Sequence, residues 1–283
     1  MYINLTMNKP KVSVLMATYK ENVSAVKKAI DSIETQTISD WELVVVADDP
    51  SNEPVISYLR EKEKRNKRVR LIIHKENRGL GGALNTAVSH AKGEYLARAD
   101  VDDVSYPERL QEQLEYFDSH PETDLLFTGW RERRRDGEQR LRLPSSEMVR
   151  EIKKYFFLNS LLLHPTLMTK AVVLQNNPYP EMSRPEDLVL FLTLMEEGYQ
   201  FRLLPKVLYD YEVDTTLKYQ KVRTYSANLL SVLLRKLPHW YSNPYYYLYI
   251  IRIGTEWLLS RNKYIYEKMN MLAAKIWRGV FGS

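Results

Sequence analysis

Residues 94–103 read E-Y-L-A-R-A-D-V-D-D, a short apolar run that ends directly in a cluster of carboxylates. Its apolar part is bounded by polar residues and is typical of a buried strand. Three similar runs precede it at residues 12–17, 43–47 and 69–74, and another follows at residues 124–129. Segments with helical spacing of apolar residues separate these runs. Strands that alternate with helices in this way predict an α/β fold with a mostly parallel sheet.

Polar side chains follow the predicted strands at the point where each strand ends. Thr18 and Tyr19 come after the first strand, and Asp48 and Asp49 come after the second. The carboxylates of residues 100–103 come after the fourth. Because ligands of parallel sheets bind outside the carboxyl ends of the strands, we expect one ligand site at this edge.

Three carboxylates lie within four residues after the fourth predicted strand. Asp100 and Asp102 have the spacing D-x-D, and Asp103 follows directly. A magnesium or manganese ion is commonly held by one or two carboxylates together with substrate phosphates. The alternative is a solvated acidic turn in which Asp103 caps the next segment. The spacing alone leaves both interpretations open.

A glycine-rich stretch enters the helix that is predicted after the third strand. Residues 77–85 read N-R-G-L-G-G-A-L-N, so Leu84 stands where a G-x-G-x-x-G motif has its last glycine. The stretch also follows the third strand rather than the first, which excludes the dinucleotide-binding interpretation. We expect instead that backbone at this stretch, including Asn77 and Gly79, approaches a ligand.

A second acidic pair precedes an apolar helix. Residues 184–187 read R-P-E-D, and a carboxylate at a helix start is favoured by capping and by the helix dipole. The functional alternative is that Asp187 faces the site as a general base. His164 precedes a short apolar strand and could line a pocket, although a buried structural histidine is the alternative.

The composition excludes several classes of protein. The 283 residues are 44% hydrophobic and 27% charged, as in a globular chain, and include no cysteine. This excludes disulfides, Cys-ligated metals and a thiol nucleophile. No H-E-x-x-H, G-x-S-x-G or P-loop motif occurs. We find no secretory signal and no run of about 18 apolar residues, so we expect a cytoplasmic location.

The charge of the chain is divided unevenly. Residues 218–283 carry 11 Lys and Arg against two acidic residues, while the other 217 residues carry 30 against 34. The same segment holds nine of the 20 tyrosines and is helical in pattern. We therefore predict a domain over residues 1–217 and a basic, aromatic-rich helical segment over residues 218–283.

Taken in order, these motifs resemble the family 2 inverting glycosyltransferases of the GT-A fold, over roughly residues 10–213. The matching segments are VSVLMATYKE, WELVVVADDPSNE, NRGLGGALNTAVSHAKGEYLARADVDD, YPERLQEQ, HPTLM and PEDLVLFLTL. The resemblance implies a Rossmann-like GT-A domain that transfers a sugar from a nucleotide-sugar. The chain looks most like bacterial enzymes that build surface polysaccharides.

The resemblance also implies roles for individual residues. Asp187 matches the catalytic base, and Asp100 and Asp102 match the pair that binds Mn²⁺ or Mg²⁺. We also expect His164 and Glu186 in an acceptor pocket. The residues assigned to the nucleotide-sugar are Thr18, Tyr19, Asp48, Asp49, Asn77, Gly79, Arg98, Asp100 and Asp102.

Two positions depart from the family pattern. The usual D-D-G-S turn reads D-D-P-S at residues 48–51, and the frequent Y-R-x-H near the end of the catalytic domain reads Y-E-V-D at residues 211–214. The second departure leaves residues 211–214 without the basic side chains through which the family pattern contacts the donor diphosphate.

The family default for the donor is a UDP-sugar, and the acceptor is expected to be a glycan or a lipid-linked saccharide. The basic C-terminal segment, residues 218–283, has the composition of a helix that lies on an anionic membrane, or of a helical subdomain that packs on the core or on a second copy. The composition permits two other functions: a nucleotidyltransferase, and a nucleic-acid-binding module that uses the basic segment. We expect no nucleic acid, because the carboxylate clusters would then have no role.

Overall fold

The computed structural model describes residues 9–134, 137–143, 145–146, 149, 151–157, 162–182, 185–213 and 219–259. These residues form a mixed α/β fold, as the sequence predicts. The strands are β1 (Val12–Thr18), β2 (Trp41–Ala47), β3 (Val69–Ile73), β4 (Tyr95–Arg98), β5 (Val104–Ser105), β6 (Leu125–Arg134), β7 (Gln139–Arg142), β8 (Met168–Lys170) and β9 (Phe201–Val213). The helices are α1 (Val23–Glu34), α2 (Glu53–Arg65), α3 (Gly79–His90), α4 (Arg109–Ser119), α5 (Ile152–Tyr155), α6 (Ala171–Asn176), α7 (Glu186–Glu196), α8 (Tyr219–Trp240) and α9 (Pro244–Leu259), with a 3₁₀ turn at His164–Thr166.

The first half of the sheet is parallel and follows the predicted alternation. Strands β3, β2, β1 and β4 lie side by side in that order, all parallel. Strand β1 is buried along nearly its whole length, which explains its continuous apolar run. Local signals set the helix starts: the Asn22 side chain accepts a hydrogen bond from Ala25 N at 2.9 Å, and Gly79 has φ +72° where α3 begins. The carboxyl ends of these four strands therefore lie at one edge.

The second half of the sheet contains a strand inserted out of sequence order. The three-residue strand β8 lies between β4 and β6 and is antiparallel to both. The long strand β9 then pairs parallel with β6 and antiparallel with the two-residue strand β5. Strand β5 follows the carboxylate cluster directly, so its pairing with β9 ties that cluster to the end of the sheet.

The core lies between the sheet and the helices beside it. Strand residues Val14, Met16 and Val45 are fully buried together with Ile30 of α1. Burial of this apolar surface is the main favourable term in folding, at about 25 cal/mol per Å². The packed sheet thus gives a rigid base for the polar turns at its edge.

The described residues form two compact units. The first comprises residues up to 153 and residues 162–213, and the second comprises residues 154–157 and 219–259. The sequence-based boundary after residue 217 stays a prediction. Residues 260–283, which complete the predicted basic segment, lie outside the described residues.

The second unit has an aromatic core of its own. The Phe157 ring lies edge-on to Trp240 at 5.0 Å and to Tyr246 at 4.8 Å between ring centroids. Tyr246 also donates a hydrogen bond from its hydroxyl to the Leu233 carbonyl oxygen. Among the helices described, none has the length and apolar character needed to cross a bilayer.

The turn into β4 depends on a glycine. Gly93 N donates a hydrogen bond of 2.7 Å to Ser13 Oγ. A Cβ at Gly93 would press on Ser13 N and lie 2.8 Å from Tyr95 O. Both are backbone atoms of paired strands that cannot move independently. We expect Gly93→Ala to lower the free energy of unfolding by about 1–3 kcal/mol, measured by urea denaturation.

Gly254→Ala is the control, because a Cβ at that helical position meets nothing within 4 Å. We expect it to be neutral or stabilising by about 0.5–1 kcal/mol. Equal stability of the two variants would contradict the steric argument at Gly93.

Candidate active site

The ends of β1 and β2 meet at the expected edge of the sheet. Asp48 N donates a hydrogen bond of 2.7 Å to the Thr18 carbonyl oxygen. The Thr18 hydroxyl and Tyr19 N both donate to the carboxylate of Glu21, at 2.8 and 2.7 Å. Glu21 thus fixes the turn after β1, and the Tyr19 side chain remains 41% exposed beside it.

Asp48 is buried at the centre of a hydrogen-bond network. Its Oδ1 accepts from His74 Nδ1 at 2.6 Å and from Arg78 N at 2.9 Å, and its Oδ2 accepts from Asn77 Nδ2 at 3.0 Å. Asp48 therefore joins the end of β2 to the glycine-rich stretch. Sequence reasoning assigned no role to His74, although its place directly after β3 was the available signal.

Asp49 forms a turn with its own chain. Its Oδ1 accepts hydrogen bonds from the hydroxyl and backbone N–H of Ser51, at 2.6 and 3.0 Å, and these bonds lower the pKa of Asp49. The geometry matches the turn interpretation of this residue. Asp49 is nevertheless more exposed than Asp48 and lies at the same edge.

The D-x-D cluster is built on a buried arginine. The Arg98 side chain, at the end of β4, is 1% exposed and donates to the carboxylate of Asp100 and to the Ala99 carbonyl oxygen. The Asp100 side chain is 29% exposed, so solvent reaches it from the other side. Asp103 is buried, and its Oδ1 accepts from Glu212 N at 2.8 Å, which pins the turn to β9.

The electrostatics of this cluster favour a cation. Asp102 is exposed as a residue, but the protein around its carboxyl limits solvation and, with the charge of Asp100, raises the pKa of Asp102. Burial and the charges of Asp100 and Asp102 raise the pKa of Asp103 well above its usual range. In the described part of the chain, no three acidic or histidine side chains are grouped as a metal cage. Two reachable carboxylates fit a divalent ion whose other ligands come from a substrate.

Two residues that sequence reasoning missed hold the backbone of the D-x-D cluster in place. Tyr209 on β9 accepts a hydrogen bond from Asp100 N at 3.0 Å through its hydroxyl oxygen. Arg109 on α4 is fully buried and donates to the Arg98 carbonyl oxygen at 2.8 Å and to Ser105 Oγ at 3.0 Å. Burial lowers the pKa of Arg109 to about 10. Arg109 is buried in α4 beside Leu110 and Gln113, and a charged residue next to apolar helix positions was the available sequence signal.

The acidic pair lies at the start of α7. Glu186 is buried, and Asp187 is half-buried with its Oδ1 accepting from Leu188 N at 2.7 Å. Arg184, which precedes the pair in the sequence, lies outside the described residues. The dipole of α7 stabilises negative charge at this position.

His164 and Tyr179 form a buried polar pair. His164 Nε2 is 2.8 Å from the Tyr179 hydroxyl oxygen, and burial lowers the pKa of His164 well below its usual range, so the imidazole is neutral. Burial raises the pKa of Tyr179; the Arg98 charge lowers it, and the charge of Asp187 raises it further. The residues expected on the two sides of the site thus lie within electrostatic reach of one buried tyrosine.

At Gly81 the glycine-rich stretch packs against another segment of the same chain. A Cβ at Gly81 would lie 3.1 Å from the Pro180 carbonyl oxygen and 3.7 Å from Glu186 Cβ. The backbone that approaches this glycine is therefore the segment that leads to the acidic pair. Asn77 points to Asp48, and Gly79 supplies the left-handed conformation that starts α3.

The departure at residues 211–214 is only partly described. Tyr211, Glu212 and Val213 end β9, and Asp214 lies outside the described residues. Glu212 contributes its backbone N–H to Asp103. The described part of this segment carries no basic side chain.

Comparison with known proteins identifies the family. The family model described as glycosyl transferase family 2 matches residues 13–172. An uncharacterized glycosyltransferase of Methanocaldococcus jannaschii is 32% identical over 248 residues, which cover 85% of each chain. The O-antigen biosynthesis glycosyltransferase WbnJ of Escherichia coli is 33% identical over 189 residues, which cover 66% of this chain and 72% of that protein.

Solved structures show the same fold at low sequence identity. TarS residues 1–349 of S. aureus, in complex with UDP-GlcNAc, match with a TM-score of 0.62 and 20% identity over 88% of this chain and 72% of that chain. The mannosyltransferase PcManGT of Pyrobaculum calidifontis, in complex with GDP-Man and Mn²⁺, matches with a TM-score of 0.63 and 18% identity over 97% of this chain and 76% of that one. The predicted GT-A fold is confirmed, and the chain belongs to glycosyl transferase family 2 and is a glycosyltransferase.

Proposed function

We propose that this chain is an inverting glycosyltransferase that moves a sugar from a UDP-sugar to a hydroxyl group of a glycan or lipid-linked saccharide in surface polysaccharide synthesis. The observation that carries the proposal is that Asp48 holds Arg78 at the start of α3, while Gly81 of the same helix lies against the segment that leads to Asp187. The D-x-D cluster follows β4, which pairs with β1 at the same edge of the sheet. The E. coli relative is named for O-antigen biosynthesis, and the S. aureus structure contains UDP-GlcNAc. Both support this choice of donor and product.

We assign nucleotide binding to the turns after β1 and β2. Tyr19 and Asp49 are the more exposed groups there, so they are placed to contact a base or ribose. Asp48 accepts hydrogen bonds from Asn77 Nδ2 and from Arg78 N, so we assign Asp48 and Asn77 to holding the shape of the pocket. The ligand would then bind to side chains that the protein already holds in place, which lowers the entropy cost of binding.

We assign the donor diphosphate to Asp100 and Asp102 through a divalent ion. Such an ion, when bound, would neutralise the negative charge that the leaving nucleoside diphosphate gains. The buried Arg98 holds Asp100 in place, and Tyr209 and Asp103 fix the backbone on either side of the pair.

Asp187 is the residue that we propose as general base. An acceptor hydroxyl has a pKa far above 7, so a carboxylate must take its proton as the oxygen attacks the anomeric carbon. The new carbon–oxygen bond forms on the face opposite the leaving phosphate, whose bond to the same carbon breaks with its electron pair. The anomeric centre is inverted in one step, and no covalent sugar–enzyme intermediate is needed.

Asp187→Asn tests this role directly. The amide keeps the shape of the side chain but cannot accept the proton, so we expect the rate of transfer to fall by about 10²- to 10⁴-fold. The reaction measured is UDP release from UDP-GlcNAc, UDP-glucose or UDP-galactose with water as the acceptor. UDP affinity should stay within twofold of the parent protein.

Glu197→Gln, at the exposed far end of the same helix, is the matched control and should leave both quantities unchanged. Normal turnover in Asp187→Asn would contradict the assignment of Asp187 as general base. A normal turnover combined with weaker UDP binding would reassign Asp187 to the donor.

Metal and nucleotide dependence can be measured by thermal shift with UDP, GDP, dTDP and CMP, each with and without Mn²⁺. A ligand at 100 times its dissociation constant adds about 2.7 kcal/mol to the free energy of unfolding. We expect UDP to stabilise the protein most, only with Mn²⁺, and the effect to be lost in Asp102→Ala. The exposed Asp118→Ala on α4 should keep it. Equal stabilisation by UDP without metal would contradict the proposed ion.

We also propose that the basic C-terminal segment contacts the anionic inner face of the cell membrane. Leu248, Ile251 and Leu258 lie on one face of α9 and are 58–63% exposed, while Tyr246 and Ile253 of the same helix are buried. An exposed apolar stripe in a segment rich in Lys and Arg is the composition of an interfacial helix.

The full chain should therefore co-sediment with vesicles that contain phosphatidylglycerol and not with purely phosphatidylcholine vesicles. Replacing both Leu248→Glu and Ile251→Glu should weaken binding on the order of tenfold or more, because two apolar side chains lose their burial. Leu141→Glu, which is 62% exposed on β7, is the control. Equal sedimentation of both variants would remove the membrane role from this face.

A further inference from the structure

We propose that Asn85 is a positioning residue for sugar transfer: it fixes, through the backbone of Tyr179, the segment that delivers Asp187 to the site. The proposal rests on the proposed role of Asp187 as base. It also gives the glycine-rich stretch a function other than ligand contact.

The contact between Asn85 and Tyr179 has two points. Asn85 Nδ2 donates to the Tyr179 carbonyl oxygen at 2.9 Å, and Tyr179 N donates to Asn85 Oδ1 at 2.8 Å. One side-chain amide thus satisfies both backbone groups of a residue 94 positions away in the chain. Two hydrogen bonds from one planar group fix orientation as well as distance, which a single bond would not.

Gly81 provides the space for this contact. It lies one turn before Asn85 on the same face of α3. A Cβ there would come within 3.1 Å of the Pro180 carbonyl oxygen and within 3.4 Å of Tyr179 Cβ. A larger residue at position 81 would therefore push the segment at Tyr179–Pro180 away from α3 and break the contact with Asn85.

Tyr179 is also held at its other end. Its side chain is 2% exposed, and its hydroxyl meets His164 Nε2 at 2.8 Å. The segment is thus fixed at Tyr179 by backbone and side chain, and seven residues later it enters α7 at Glu186. Residues 183–184 lie outside the described residues, but the start of α7 lies against the same face of α3, because a Cβ at Gly81 would be 3.7 Å from Glu186 Cβ. We infer that the position of the Asp187 carboxylate follows from this packing.

Position matters more than stability for a general base. A displacement of about 1 Å can cost on the order of 10²-fold in rate when it spoils alignment of the reacting groups. Donor binding is assigned to the turns after β1, β2 and β4, none of which Asn85 contacts through its side chain in the described structure. Loss of the Asn85 contact should therefore change turnover and leave the affinity for UDP intact.

Asn85→Ala and Asn85→Asp test the proposal in the full chain. The alanine removes both hydrogen bonds, and we expect kcat for UDP release from the UDP-sugar to fall on the order of 10- to 100-fold. The aspartate is isosteric and keeps the acceptor for Tyr179 N, but its second oxygen faces the Tyr179 carbonyl oxygen and repels it, so its kcat should fall at least as far as that of the alanine variant. KM for the donor and the Kd for UDP with Mn²⁺ should stay within twofold in both.

Asn66→Ala is the matched control. Asn66 also makes two side-chain hydrogen bonds, one to Glu34 Oε1 at 2.9 Å and one from Arg68 N at 3.1 Å, at the opposite end of the sheet. It should lower the melting temperature without lowering kcat. A purely structural role for Asn85 would make the two alanine variants behave alike.

Parent-like kcat in a folded Asn85→Ala or Asn85→Asp, or an equal loss of kcat and UDP affinity, overturns the proposal. If Asp187→Asn is inactive while the Asn85 variants are fully active, positioning by Asn85 fails and the base assignment stands. If Asp187→Asn keeps full activity, the proposed function itself fails. Should Asn85→Ala not fold, the isosteric Asn85→Asp decides.

Discussion

The pairing of buried Arg98 with Asp100 is the constraint around which the site is arranged. A guanidinium that is 1% exposed costs several kcal/mol to remove from water unless its charge and donors are satisfied. Asp100 supplies the charge and the Ala99 carbonyl oxygen takes a second donor, while Arg98 Nε is buried without a hydrogen-bond partner among the described residues. The backbone that carries both is held in turn by Arg109 and Tyr209. The acidic turn therefore has a fixed shape before any cation arrives, although its carboxylates repel one another.

Local patterns predicted the first half of the fold because each signal there acts over a few residues. Apolar runs marked β1 to β4, and the residues that follow them do lie at one edge of the sheet. The insertion of β8 between β4 and β6 was not predictable, since a three-residue strand carries no period and its partners are distant in sequence. The contacts of Asn85 with Tyr179 and of His74 with Asp48 were not predicted for the same reason. Each joins polar groups that only the tertiary fold brings together.

The glycine-rich stretch shows how one composition can serve different ends. A dinucleotide-binding loop needs its last glycine for close packing of helix against strand, whereas Leu84 at that position is fully buried in the core. Gly79 is needed for its left-handed conformation, and Gly81 for the approach of Pro180. The glycine-rich stretch thus contacts two other parts of the chain: it bonds to Asp48 through Asn77 and Arg78, and it packs against the segment at Tyr179–Pro180 through Gly81. Its glycines are explained by what the protein packs against them.

The departure from the family pattern at Glu212 is tolerated for a physical reason. The turn that carries Asp103 is tied to this residue by a backbone N–H, which any amino acid except proline supplies. The side chain at 212 is therefore free to change without loosening the carboxylate cluster. The backbone N–H of Glu212 lies 2.8 Å from Asp103 Oδ1, and the residue carries a negative charge where the family pattern has a basic side chain. We therefore propose that donor binding depends more on the ion assigned to Asp100 and Asp102 than it would with a basic residue at position 212.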